Sequence, residues 1–277
     1  MKPESDRTWE QTFSDMMYWK WEGTARMSVQ AVSSAVGFME RALRLTKGAK
    51  VLDLGGALGH HSIELSRRGY EVTGLESSEA FLDVARQNVA DAGVSVRLIQ
   101  GDMTRMTFAE EFNSVILWGN TFGMFSDENN AATLIGIARA LRPGGLALID
   151  TQNYQALPDK LTRDWRFCPE DKDLLFLEQA TKDIRHARFG FDVVAVDLRR
   201  GLRHKMTFSR RLYLLPELER LLDDAGLDLL AIYGDDPRFA DWKNWRRGEP
   251  DPYCPEGFTE RAAKRILLCR ARKGAAQ

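Results

Sequence analysis

The 277-residue chain lacks an excess of charge of either sign: 39 Lys and Arg stand against 40 Asp and Glu, a formal net charge of −1. That balance offers no basic groove for the phosphates of a nucleic acid and no cationic face for an anionic membrane. Cysteine is scarce. The three present, Cys168, Cys254 and Cys269, are far apart, lack metal-ligand spacing and suggest a reducing compartment. The 4 histidines, His60, His61, His186 and His204, form no set with cysteine or carboxylate at metal-ligand spacing, so no metal is expected. No apolar run is long enough to span a bilayer, and the start, Met1-Lys2-Pro3-Glu4-Ser5-Asp6, is too polar for a secretory leader. No internal repeat is visible. These absences predict a cytoplasmic protein with neither nucleic acid nor membrane as partner.

What is present concentrates in one segment. Val51, Leu52 and Leu54 read as a buried strand, Gly55, Gly56 and Gly59 as a tight turn, and Ser62, Glu64 and Leu65 as the opening of a helix. Glycines there let the backbone turn sharply and approach a ligand with no Cβ in the way. About 20 residues on, Val72-Thr73-Gly74-Leu75-Glu76 forms a second strand ending in an acid. A glycine turn followed by a carboxylate at that distance is the pattern of a nucleoside site, the acid bonding the ribose hydroxyls. The plainer alternative is an ordinary strand–helix–strand turn with a solvated Glu76. A dinucleotide is disfavoured, since Ala57 occupies the middle glycine position and no basic residue follows.

The surrounding chain alternates. Residues 9–47 read as mostly helical, with Val29, Val32, Val36, Met39 and Leu43 at helical spacing and Gly48 as the stop. Residues 49–152 alternate strand and helix, including a helix over 79–92, which predicts a mostly parallel sheet covered on both faces. Residues 138–150 read as a helix end, a Pro143-Gly144-Gly145 turn and a strand. Strands over 173–185, 191–198 and 204–213 suggest an antiparallel lid. Pro216 opens a helix over 217–225 closed by Gly226, and strands over 227–233 and 263–271 follow. The expected units are a helical cap (1–47), a ligand-binding core (48–152), an antiparallel lid beside the acceptor (153–215) and a C-terminal completion of the core sheet (216–277). Between the last two strands, 235–259 reads as an ordered loop, with Arg246 and Arg247 beside Trp242 and Trp245 taken as a solvated face.

The run Asp53-x-Gly55-x-Ala57-x-Gly59, preceded by Val51-Leu52, resembles motif I of the class I S-adenosylmethionine (SAM) methyltransferases. Val96-Arg97-Leu98-Ile99-Gln100-Gly101-Asp102-Met103, Val115-Ile116-Leu117-Trp118-Gly119-Asn120 and Arg142-Pro143-Gly144-Gly145-Leu146 fit the same family. The resemblance implies an α/β, Rossmann-like fold, SAM as cofactor and S-adenosylhomocysteine as product. It implies that Asp53 and the turn hold the amino acid end, Glu76 the ribose, and Asp102 and Met103 the adenine. The implied cofactor set is Trp21, Arg26, Asp53, Gly55, Gly56, Ala57, Gly59, Glu76, Ser77, Asp102, Met103, Trp118 and Gly119.

Leu117-Trp118-Gly119-Asn120-Thr121-Phe122, Ile149-Asp150-Thr151-Gln152-Asn153-Tyr154, Thr181-Lys182-Asp183-Ile184 and Trp21-Glu22-Gly23-Thr24-Ala25-Arg26 resemble glycine and sarcosine N-methyltransferases, and the later part resembles amino-sugar N-methyltransferases. That likeness implies that Arg26 meets the SAM carboxylate, that Trp21 lies in an N-terminal lid, and that Asn120 holds the acceptor. The family's carboxylate-clamping arginine falls at Gln152, and a nearby tyrosine at Leu175 or Phe176, which argues against free glycine. The expected reaction is in-line methyl transfer to a small-molecule acceptor, an amine nitrogen first. O- or C-methylation, or SAM binding without catalysis, stays open, as does a homo-oligomer. Tyr18, Trp19 and Trp21 are candidates to face the sulfonium. His60 and His61 are read as helix-start side chains rather than bases.

Overall fold

A computed structural model of the protein describes residue 20 and residues 28–153, 163–168, 171–234 and 264–272. Eleven strands form two sheets: one of seven in the order β10-β11-β5-β4-β1-β2-β3, and one of four in the order β6-β7-β8-β9. In the larger sheet β1 (Lys50–Leu54), β2 (Glu71–Glu76), β3 (Val96–Gln100), β4 (Phe112–Leu117) and β5 (Leu141–Gln152) run parallel. β11 (Lys264–Ala271) is antiparallel to both β5 and β10 (Leu227–Gly234).

Strand alternation sends neighbouring residues to opposite faces, and each face has its own core. Leu52, Leu54, Val115 and Leu117 pack with Leu134 and Ile137 of α4 (Asp127–Ala140) and with Leu218 and Leu222 of α5 (Leu215–Asp224). Val51, Val72, Ile116 and Trp118 pack with Val36, Phe38 and Met39 of α1 (Val29–Leu43) and Leu65 of α2 (His60–Arg67). α3 (Glu79–Ala92) contributes Phe81, Leu82 and Ala85, all buried. Ser28, Ser78 and Ser126 cap α1, α3 and α4 by accepting backbone N–H groups one turn in, at 3.2, 3.3 and 3.3 Å.

The second sheet is an antiparallel meander of β6 (Arg163–Phe167), β7 (Leu174–Asp183), β8 (Arg188–Asp197) and β9 (Leu202–Arg211). Its core is Cys168, Leu174, Phe176, Val193, Ala195, Met206 and Phe208. Three attachments join it to the loop after β4. The Arg211 N–H donates to the Gly123 carbonyl at 2.7 Å, and the Arg188 guanidinium donates to the carbonyls of Met124 and Phe125, each at 3.1 Å. Arg210 makes the third, at Asn120.

Two details depart from expectation. Pro143-Gly144-Gly145 is not a turn before β5 but lies inside it. Residues 142–145 interrupt the register between Phe112↔Leu141 and Ser114↔Leu146. Proline has no N–H to give a ladder, and Gly144 at φ 80° absorbs the extra length, so the run forms a bulge rather than a loop. Helix α1 ends at Leu43, before Gly48, because Arg44 takes a left-handed cap (φ 50°) and returns its N–H to the carbonyls of Arg41 and Glu40. Residues 9–19 and 21–27 of the expected 9–47 helix lie outside the described residues.

Candidate functional site

The loops after β1, β2, β3, β4 and β5 all leave the same edge of the parallel sheet, the edge where open α/β sheets bind ligands. After β1 the chain turns through Gly55 (φ 66°), Ala57 (φ 46°) and Gly59 (φ 81°) into α2. A Cβ on Gly55 would stand 3.1 Å from Met103 Cε, so the glycine permits both the turn and the close packing of the β3 loop. Ala57, the residue in place of a glycine, adopts the left-handed backbone that favours glycine.

Glu76 closes this turn. Its Oε2 accepts the Ala57 N–H at 3.0 Å and its Oε1 the Ser78 N–H at 2.9 Å, with the Ser77 hydroxyl at 3.3 Å. Burial raises its pKa, and the three donors oppose the rise. Asp53 is 2% exposed and accepts the Ser62 hydroxyl at 2.6 Å. Burial pushes the Asp53 carboxyl up to about 6, with the charge of Glu76 adding to the rise and Ser62 opposing it. A Cβ on Gly56 would lie 2.9 Å from Asp53 Oδ2, so the space beside that carboxylate is one only glycine leaves.

Asp102 caps the short 3-10 turn Met103–Arg105, accepting the Thr104 N–H at 2.8 Å and the Thr104 hydroxyl at 2.9 Å. Met103 is buried beside it. After β4, Trp118 turns its indole into the α1 face, with ring centroids 6.2 Å from Phe38 and 6.5 Å from His61. Gly119 (φ 84°) and Asn120 (φ 59°) then form a left-handed pair. Both N–H groups donate to Asp150 Oδ2, at 3.1 and 3.2 Å, and the Asn120 carbonyl accepts Arg210 Nε at 2.7 Å. The Asn120 side chain is 9% exposed, and its Oδ1 is buried without a hydrogen-bond partner among the described residues. A buried acceptor with no donor is costly, so this oxygen calls for an N–H or O–H that the described residues do not supply.

The described residues therefore bring Asp53, Gly55, Gly56, Ala57, Gly59, Glu76, Ser77, Asp102, Met103, Trp118, Gly119 and Asn120 to the strand-end loops of one sheet edge. Trp21 and Arg26 lie outside the described residues, as do Tyr18, Trp19, Tyr154, Trp242, Trp245, Arg246, Arg247 and Cys254. Gln152 ends β5 opposite Lys264. Phe176 is buried in the core of the second sheet, whereas Leu175 lies on the other face of β7. Burial lowers the pKa of His60, keeping its imidazole neutral near neutral pH. Asp150, Arg210 and Ser62 are site-supporting residues that the motif spacing does not single out. Among the described residues no group of His, Cys, Asp and Glu could hold a metal, and no helix is long and apolar enough to cross a membrane.

The donor set suits SAM: two carboxylates and a glycine turn answer an ammonium, a ribose diol and a sulfonium. A methyltransferase-domain family model matches residues 51–145. The chain is 26% identical over 222 residues to a glycine/sarcosine N-methyltransferase from Aphanothece halophytica, covering 78% of this chain and 80% of that protein. Among solved structures, the CcbJ methyltransferase from Streptomyces caelestis shares the fold, with a TM-score of 0.73 and 19% identity over 94% of this chain and 98% of the other. SAM-bound CalS10, an amino pentose methyltransferase from Micromonospora echinaspora involved in calicheamicin biosynthesis, has a TM-score of 0.62 and 16% identity over 92% and 95%. Residues 51–145 are thus a methyltransferase domain, and with this sheet order and these loops the protein is a SAM-dependent methyltransferase.

Proposed function

We propose that the protein methylates a small molecule at an amine nitrogen. One observation carries the reading: Asn120 Oδ1, buried and without a donor among the described residues, stands on a turn clamped from both sides at the sheet edge that holds the proposed cofactor loops. An amine supplies the missing N–H, and accepting it aims the nitrogen lone pair away from Asn120. The N-methyltransferase named among the relatives supports nitrogen as the acceptor atom.

SAM, when bound, supplies an activated methyl on a sulfonium. We assign Asp53 and the amides of the 55–59 turn to its amino acid end, Glu76 with Ser77 to the ribose, and Asp102 with Met103 to the adenine. Trp118 supports the site from the α1 face, and Gly119 sets the backbone beside Asn120. Trp21 and Arg26 stay assigned to the cofactor on the family likeness alone. The protein's task is alignment and exclusion of water, which contribute several kcal/mol in such transfers. A hydroxyl satisfies the same Oδ1, so an alcohol acceptor is the second reading.

The test is transfer of labelled methyl from SAM into a cell extract fractionated by size, with Asn120→Ala alongside. Label in small molecules, reduced at least tenfold by Asn120→Ala while SAM affinity holds, supports the reading. Label in macromolecules, or equal loss of rate and SAM affinity, overturns it.

A further inference from the structure

We infer that Arg210 and Asp150 are positioning residues for methyl transfer, gripping the Asn120 turn from the lid and from the core. The inference rests on the proposed role of Asn120 toward the acceptor. Asp150, fully buried on β5, takes the N–H groups of Gly119 and Asn120 on a single oxygen. Arg210, 5% exposed on β9, donates Nε–H to the Asn120 carbonyl across 90 residues of sequence, with its guanidinium 5.6 Å from the Phe208 ring.

Both backbone polar groups of Asn120 are thus held by charged side chains, a negative one on the N–H side and a positive one on the C=O side. The Arg210 bond, at 2.7 Å, has the length of a charge-assisted bond, and the longer Asp150 pair, at 3.1 and 3.2 Å, shares one oxygen between two N–H groups. They hold Asn120 in one backbone conformation, a left-handed one (φ 59°) that asparagine tolerates better than most residues but does not adopt by default. Fixing that backbone fixes the Cα–Cβ direction and narrows the positions open to Oδ1, which has no partner among the described residues.

The lid is not a passive anchor in this arrangement. At Gly123 (φ 95°) a Cβ would lie 2.5 Å from the Arg211 carbonyl oxygen, so the two backbones are in contact. Together with the Arg188 bonds to Met124 and Phe125, this contact makes β8, β9 and residues 120–125 one mechanical piece. A shift of β9 reaches Asn120 through Arg210.

The experiment is a double-mutant cycle on Arg210→Gln and Asn120→Ala, with Arg210→Lys as the conservative variant. Labelled SAM and the small-molecule fraction that takes up label with the parent protein serve as substrates. SAM Kd, saturating rate and half-saturating acceptor are read separately. Arg210→Gln should lower the saturating rate at least tenfold with SAM Kd within twofold, and Arg210→Lys should recover part of it. In the Asn120→Ala background, Arg210→Gln should cost nothing further, the non-additivity expected of coupled residues. The same fold-loss in both backgrounds, or a rate loss matched by lost SAM affinity, overturns the positioning role. If Asn120→Ala loses rate while Arg210→Gln keeps it, this inference falls and the acceptor reading stands. If Asn120→Ala keeps full rate, the acceptor reading itself falls. Should Arg210→Gln fail to fold, Asp150→Asn, which keeps an acceptor oxygen, takes its place in the cycle under the same criteria.

Discussion

Asp53 pays for its location in protonation: buried beside Glu76, its carboxyl titrates at about 6 rather than 3.8. A raised carboxyl favours folding below its unfolded pKa, and that advantage is lost as the pH climbs through 6; the ionised group then costs about 3 kcal/mol of stability. An ammonium bound there needs the carboxylate, so SAM affinity should rise from pH 5 to 7 and level off above. Asp53→Asn, followed by calorimetry across that range, should flatten the rise. A slope unchanged in the variant would move the titration to another group, Glu76 first. Ala57 is the second residue under strain. A left-handed backbone costs an L-residue roughly 1–2 kcal/mol, against 0.5–1 kcal/mol of chain entropy for glycine. Ala57→Gly should therefore hold or raise stability by up to about 1 kcal/mol in urea unfolding, with SAM bound at least as tightly. A clear loss would mean the Ala57 methyl packs usefully. Asp53 and Glu76 were legible from a strand ending in a turn and a strand ending in an acid. Asp150 and Arg210 were not, because their partners lie 30 and 90 residues away and no local pattern announces them.

At the scale of elements, Arg188 is the pin between the second sheet and the loop after β4. It reaches the Ser209 hydroxyl and carbonyl, each at 2.8 Å, and the Met124 and Phe125 carbonyls, while burial depresses its pKa. Arg188→Met keeps the stem and strands those acceptors, at about 2–3 kcal/mol for bonds to a charged donor. Urea unfolding with a lid-specific fluorescence probe should show the second sheet releasing first; a loss under 0.5 kcal/mol would mean the Arg211–Gly123 backbone contact suffices. Three of the four strands of the second sheet, β7, β8 and β9, were readable from apolar alternation to within a few residues at each end; β6 was not, and Gly190, read as a turn, lies inside β8. The Pro143-Gly144-Gly145 bulge was not. Proline and glycine mark an interruption, and only the partner strand decides whether it is a turn or a bulge.

Over the whole molecule, ligand binding and folding draw on the same residues, since Glu76 ties β2 to the β1 turn as well as facing the proposed ribose. S-adenosylhomocysteine at 100 times its Kd should add about 2.7 kcal/mol, or roughly 5–10 °C in Tm for a protein of this size. Glu76→Ala should weaken binding at least tenfold, about 1.4 kcal/mol, and shrink that shift in thermal melts. A full shift in the variant would remove Glu76 from the cofactor. The alternation of strands and helices announced the covered parallel sheet and its last two strands. It could not announce their order, because which edge a returning strand takes is decided by tertiary packing. That order matters during synthesis. β11, the latest described strand, is seated between β5 and β10 rather than at the rim. A ribosome-bound chain that has not yet extruded residues 264–271 must carry β5 with an open edge and β10 with nowhere to dock. Each newly made copy therefore passes through an interval with a bare, apolar strand edge, the condition under which nascent chains pair with one another.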